Sequence, residues 1–315
     1  MKNKIKVILI LLVILCGAKN NVEAQSTLRG NITISGAFAL YPLAVKWAEE
    51  FKKLNPGVKI DISAGGAGKG MTDAITGAAD IGMISRDINA EETKKGAYPI
   101  AVSKDAVVPT ISAANPLLDQ LLKKGIKRDG LYNFWGTGRA KNWGQVTGIK
   151  TTIPVHVYTR SDASGAGETW AKYFRLKQED LFGVGVYGDP GVATAVKKDP
   201  IGIGYNNIVY VYDSKTNRQT NGVRVLPIDL NNNGTIDPAE NFYDTIDDLI
   251  NAISTGKYPS PPARDLYFVT KGKSTNPVVK AFLKFCLNEG QKYVQEAGYI
   301  NLSKERIATE LTKVK

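Results

Sequence analysis

The chain has 315 residues, 41 Lys and Arg against 30 Asp and Glu, 43% apolar residues, one histidine and two cysteines. That length supports a substantial core, more commonly divided between two domains than held in one, and two cysteines exclude a disulfide framework. The formal charge of +11 rests on lysines scattered over helical faces without aromatic interleaving, which argues against a nucleic-acid partner and leaves a mild attraction for small anions.

The first 24 residues, "MKNKIKVILILLVILCGAKNNVEA", place lysines at 2, 4 and 6 ahead of an apolar run from Ile5 to Cys16 and end on Ala24. The run is too short to span a bilayer comfortably, so 1–24 is a predicted signal peptide with cleavage before Gln25, and the mature chain is expected to be exported. "VILC" offers a lipoprotein box at Cys16 as a second outcome, although Leu15 stands where such boxes carry a small residue; an uncleaved anchor is third. Without the leader the net charge falls to about +8. Cys286 then stands alone, on the apolar side of a helix in "VVKAFLKFCLNE", packed and inert.

Next comes a repeated theme of strand, small-residue turn and helix. "NITISG" (31–36) alternates apolar and polar residues, and "PLAVKWAEEFKKLN" then places Leu43, Trp47, Phe51 and Leu54 on one helical face, with Pro42 in the first turn. "VKIDIS" (58–63) is a strand, "AGGAGKG" a turn, and "MTDAITGAA" a helix with Met71, Ala74, Ile75 and Ala78 inward. "DIGMIS" (80–85) is a short buried strand. "TTIPVHVY" leads into the turn "TRSDASGAG" and a helix carrying Trp170, Tyr173 and Phe174. Such alternation predicts α/β architecture with largely parallel sheets, whose ligands collect where strands end and helices begin.

The turn at 160–166 has the chemistry of an anion site. First-turn amides of a helix lack internal partners, small residues allow close approach, and Arg160 adds a full charge. Gly-rich turns also arise wherever the backbone is merely tight, so each turn alone is weak evidence. "GGAGKG" is no phosphate-binding P-loop, since Ser63 occupies the required glycine position and Gly70 follows Lys69 where Ser or Thr is needed. "DASGA" lacks the first glycine of a hydrolase elbow. His156 sits in a strand pattern as a packed ring. These residues point to binding rather than to chemistry.

Six stretches in order, "SGAFALYPLAVKWAEEF", "ISAGGAGKGMTDAITGAADIGMISRDI", "LYNFWGTGRAKNWGQVTG", "RSDASGAGETW", "GIGYNN" and "FLKFCLNEGQKYVQEAGYINLS", resemble the periplasmic phosphate-binding components of ABC transporters and cover nearly all of the mature chain. The resemblance implies an α/β, two-lobed, type II-like periplasmic-binding-protein fold. Two hinge strands, near 105–112 and 264–270, flank a ligand cleft. Lobe I comprises 25–107 plus 267–315 and lobe II 108–266. It implies a monomeric, non-enzymatic solute-binding protein that captures phosphate and hands it to a permease. The alternatives are a different tetrahedral oxyanion, or a surface interaction module on the same fold.

Position by position, the resemblance implies anion contacts from Leu40 and Tyr41, Ala67, Ser85, Arg160, Ser164, Gly165 and Ala166, with Asp162 fixing the guanidinium. Leu40, Ala67 and Ala166 stand where well-known phosphate binders carry hydroxyls. Ser85 stands where an aspartate accepts a phosphate proton, so selectivity for phosphate does not follow from the pattern. Lys69 and Arg86 are candidates for compensating charge. Replacing Arg160 is expected to abolish binding and leave the fold intact.

"DLNNNGTIDPAE" (229–240) matches an independent pattern. Asp229, Asn231, Asn233, Thr235, Asp237 and Glu240 occupy positions one, three, five, seven, nine and twelve of an EF-hand-type loop, with Gly234 at the sharp turn. Oxygen ligands at this spacing suit Ca2+. A solvated Asn/Asp turn is the plainer alternative. "VRVLPIDL" before it reads as a strand. The segment after it, with Phe242, Ile246, Leu249, Ile250 and Ile253 at helical spacing, reads as a helix. The result is a half EF-hand with a structural ion.

Overall fold

The computed structural model describes residues 28–315; the leader, its cleavage site and Cys16 lie outside the described residues. Among the described residues no helix is long and apolar enough to cross a membrane. Among the described residues there are eleven strands: β1 (Gly30–Gly36), β2 (Val58–Ala64), β3 (Ile81–Ile84), β4 (Ala97–Ser112), β5 (His156–Arg160), β6 (Val184–Val186), β7 (Gly202–Asn207), β8 (Tyr212–Asp213), β9 (Arg218–Gln219), β10 (Val223–Val225) and β11 (Ala263–Lys271). Nine form one sheet in the order β2-β1-β3-β11-β4-β7-β5-β6, with β10 paired to β4, while β8 and β9 form a separate ribbon.

Two groups of parallel strands occupy the ends of this sheet. β1 runs parallel to β2 and β3, and β5 runs parallel to β6 and β7. Between them β4 and β11 are antiparallel neighbours, and the register shifts between Leu266 and Tyr267. The first part of β4 pairs with β11, whereas Val107 to Ile111 pair with β7. One 16-residue strand thus passes from one lobe to the other, and β11 brings the chain back.

The apolar residues divide accordingly. One core gathers Ile32, Leu43, Trp47, Phe51, Met83, Val102, Phe268, Phe282 and Cys286. The other gathers Val107, Trp135, Trp143, Trp170, Tyr205, Ile228 and Leu249. Within the second, Trp170 stacks on Tyr205 at 5.5 Å and meets Trp135 edge-on at 5.3 Å. Burial of large rings in this arrangement supplies much of a domain's cohesion. Cys286 is fully buried, and desolvation raises its thiol pKa well above the usual value.

Several local expectations are corrected. Helix Tyr41–Leu54 buries Leu43, Trp47 and Phe51, but Leu54 is 57% exposed because the helix ends there, at Asn55. Helix Ala67–Thr76 starts inside the glycine-rich stretch: Gly66, at φ 90°, forms its N-cap, and Gly77, at φ 80°, ends it. Ala78 lies past that stop and is exposed, and Ile75 is only half-buried. His156, at the first position of β5, is exposed rather than packed. Its Nδ1 lies 2.7 Å from Asp199 Oδ2, which also accepts the Tyr158 hydroxyl at 2.8 Å. After the 229–240 loop the helix is only Ile246–Ser254, with Thr245 capping it, so Phe242 is buried from an irregular segment. β10 likewise covers only the first part of "VRVLPIDL".

Candidate anion site between the lobes

The loops that follow β1, β2 and β3 all leave the same edge of lobe I, because the three strands are parallel. The loop after β1 ends in a short turn, Phe38–Leu40, whose last residue caps helix Tyr41–Leu54. Leu40 is buried there, and Tyr41 opens the helix. Ala67 opens helix Ala67–Thr76 and is buried; Ser85 follows β3 and is buried. In lobe II, Arg160 ends β5, Ser164 caps helix Gly165–Tyr173, and Gly165 and Ala166 form its first turn.

The two sets meet. The Gly68 N–H donates to the Ala163 carbonyl at 3.0 Å. A Cβ on Gly66 would meet Asp162 Oδ2 at 2.7 Å, and one on Gly165 would collide with the Ser85 hydroxyl and carbonyl. The Phe38 ring lies 5.6 Å from the Arg160 guanidinium and 5.7 Å from the Tyr187 ring. The structure thus joins Ala67, Ser85, Arg160, Asp162, Ser164, Gly165 and Ala166 around one seam. Leu40 and Tyr41 adjoin it through Phe38. Farther along the seam, Arg86 meets Glu168 at 3.1 Å, and Lys172 pairs with Asp87.

Arg160 is held from two sides. Its Nε and Nη2 donate to Asp162 Oδ1 and Oδ2 at 2.8 and 2.6 Å, and its Nη1 donates to Asp189 Oδ2 at 2.5 Å. The three side chains are 1%, 6% and 2% exposed. Burial alone would lower the guanidinium pKa, but the two carboxylates outweigh it and raise it. Asp162 also accepts the Gly188 N–H at 3.1 Å. The Arg160 backbone N–H donates to the Tyr205 hydroxyl at 3.1 Å, and desolvation pushes Tyr205 up to about 12.

Other donors are partly engaged. Ser164 Oγ accepts the Gly167 N–H at 3.0 Å, leaving its own hydrogen to donate, while its backbone N–H donates to Gln178 Oε1 at 2.9 Å. Lys69 turns to Asp73 and Ser35. Arg86 forms a fork with Glu92 at 2.9 and 2.6 Å. Both candidate cations are thus paired with carboxylates of their own lobe. A cavity of about 630 Å³, lined in part by Arg86 and Glu168, opens beside the hinge strands, but its lining includes neither Arg160 nor Ser85.

Asp189, Phe38 and Asn207 were missed in the sequence. The available signal was "YGDPGV" (187–192), another small-residue helix start directly after a strand. Its helix, Gly188–Lys198, brings Asp189 onto Arg160.

The 229–240 loop folds around buried carboxylates. Asp229 accepts the Asn233 and Gly234 N–H groups at 3.2 and 2.8 Å. Glu240 Oε1 accepts those of Leu230 and Asn231 at 2.8 and 2.9 Å. Asp237 accepts the side-chain amides of Asn231 and Asn233, both at 2.8 Å, and the Thr235 N–H donates to Asn233 Oδ1 at 2.9 Å. Among the described residues, no three His, Cys, Asp or Glu are gathered as a metal-holding group.

Comparison with known proteins gives a consistent picture. The model of the PBP superfamily domain matches residues 21–289. The phosphate-binding protein PstS of Bacillus subtilis is 30% identical over 92% of this chain and 87% of its own length. The protein of the same name from Pseudomonas aeruginosa is 29% identical over 89% and 85%. A putative phosphate ABC transporter substrate-binding protein from Clostridium perfringens, solved with bound phosphate, superposes with a TM-score of 0.70 at 24% identity. That match covers 87% of this chain and all of that one. An ABC-type phosphate transport receptor from Vibrio cholerae gives 0.63 at 20% identity, over 86% and 100%.

Proposed function

The chain belongs to the PBP superfamily, among the phosphate-binding proteins, and from that membership we propose that it captures inorganic phosphate outside the cytoplasm for an ABC importer. It is a two-lobed solute-binding protein and not an enzyme: its work is to close around an anion rather than to break a bond. The observation that carries this reading is the seam itself. A buried arginine, fixed by two carboxylates, lies among helix starts contributed by both lobes. Helix starts and a guanidinium offer donors to an oxyanion, and excluding water strengthens each charge-assisted hydrogen bond. Lobe II closing on lobe I about β4 and β11 would exclude that water. Delivery to a permease and a monomeric state complete the proposal.

Isothermal titration of the mature chain with phosphate tests it. Saturable one-to-one binding, with a compaction measured by small-angle scattering, is expected; an oxyanion panel that produces no heat refutes it. A different tetrahedral oxyanion is the second reading, favoured by the absence of hydroxyls at Leu40, Ala67 and Ala166. The same panel decides between them.

We propose in addition that Asp229, Asn231, Asn233, Thr235, Asp237 and Glu240 hold a structural Ca2+. The motif spacing supports this, together with Gly234 at φ 86° and the burial of Asp229 and Glu240. Uptake would require Asn231 and Asn233 to turn their oxygens inward. Calcium titration and a melting comparison in chelator test it; neither heat nor a melting shift would remove the ion from the account.

A further inference from the structure

Asp189 is absent from the residues that the resemblance assigns to the anion, yet it is the better buried of the two carboxylates on Arg160. It cannot swing away. Its Oδ1 accepts the Asn207 side-chain amide at 2.6 Å and the Asn207 backbone N–H at 3.3 Å, and its own carbonyl accepts the Asn206 amide at 2.9 Å. Asn207 is held in turn by Arg264 of β11, whose Nε donates to Asp105 of β4 at 2.7 Å. A continuous buried polar chain therefore runs from the hinge strands to the guanidinium: Asp105, Arg264, Asn207, Asp189, Arg160.

The charge count along it is unusual for an anion site. Asp105 and Arg264 cancel, and Arg160 faces both Asp162 and Asp189, which leaves one net negative charge. Lys69 and Arg86, the nearby cations named above, are engaged elsewhere. Three of the five guanidinium N–H groups are taken, one of them on Nη1 by Asp189. An oxyanion accepting the other Nη1 hydrogen would have its oxygen about 4–5 Å from Asp189 Oδ2, from ordinary hydrogen-bond lengths and the angle between two hydrogens on one nitrogen. At that separation a fully ionised guest is repelled, whereas a guest that carries a proton on its neighbouring oxygen, free to approach Oδ2 to hydrogen-bond distance, can donate it to the carboxylate.

We propose that Asp189 is a specificity-determining residue: a fixed acceptor that admits protonated oxyanions such as phosphate and disfavours fully ionised ones such as sulfate. It supplies the acceptor that Ser85 lacks, from the other lobe. The inference rests on the oxyanion-binding reading, and the experiment separates the two. Phosphate and sulfate affinities are measured at neutral pH on the intact protein, on Asp189→Asn and on Asn207→Ala. The unmodified protein prefers phosphate. Asp189→Asn narrows the phosphate-to-sulfate ratio by roughly tenfold or more, because one charge is removed at short range. Asn207→Ala, which disturbs the packing but keeps the charge, weakens both anions and holds the ratio closer to that of the intact protein. An unmodified protein that takes sulfate as tightly as phosphate overturns the inference, even if the variants fail to fold. A folded Asp189→Asn with an unchanged ratio overturns it as well. An unmodified protein that binds neither anion overturns the function reading itself, and this inference with it.

Discussion

Replacing Arg160 by alanine is the perturbation with the largest expected consequences, and they reach beyond binding. The sequence suggested that the fold would survive intact. In the structure the substitution strands two carboxylates that are 6% and 2% exposed. Each keeps some support: Asp162 the Gly188 N–H, and Asp189 the Asn207 amide. Removing one partner of a buried ion pair costs about 3–5 kcal/mol. The two losses share one guanidinium and do not add, so the total stays near that range. For a chain of this size a loss of that order lowers the melting temperature by roughly 10 °C. Differential scanning calorimetry of Arg160→Ala and of the triple variant Arg160→Met, Asp162→Asn, Asp189→Asn provides the assay. The single variant should melt early and bind no anion; the triple variant should recover most of the stability and still bind none. A single variant melting within about 1 °C of the parent would refute the reasoning, because it would mean that the carboxylates are not held by that guanidinium.

Gly165→Ala drives a methyl into Ser85 across the lobe seam, and overpacking of this kind costs about 1–3 kcal/mol, or roughly ten- to hundredfold in anion affinity. Scattering should show incomplete closure; unchanged affinity would show that the two loops do not meet. Trp170→Ala empties a site lined by Trp135, Phe174 and Tyr205 and should cost about 3–5 kcal/mol in denaturant unfolding, and a loss below about 1 kcal/mol would contradict the packing described. The Glu50 carboxyl is held down to about 2 by hydrogen bonds from Lys53 at 2.7 Å and Lys46 at 3.0 Å. Its folded pKa is depressed, so its contribution is present above the ordinary carboxylate range and is lost as pH falls toward 2. A carboxylate NMR titration of Glu50 with a midpoint near 4.5 would refute this.

Where an element depends on neighbours in sequence, the residues alone placed it. The alternation in "NITISG", the face formed by Leu43, Trp47 and Phe51, and the hinge strands near 105–112 and 264–270 all have their counterparts in the fold. The Arg160 turn was legible for the same reason: a strand end, small residues and a helix cap lie within seven positions, 160–166. Errors occurred where a local pattern overran its stop signal, as at Leu54 and Ala78, or where a strand pattern hid an exposed end, as at His156.

The charge balance of the site was decided only by tertiary structure. Asp189 lies 29 positions from Arg160 and reaches it because the helix after β6 starts beside the end of β5. Phe38 arrives from the other lobe, and Asn207 links the site to Arg264 across the hinge. Helix propensity and strand alternation are short-range properties, whereas the partner of a buried charge is set by which distant segments the folded sheet brings together. Composition and motif spacing could therefore locate the arginine and its helix tip, but not the second carboxylate that sets its sign.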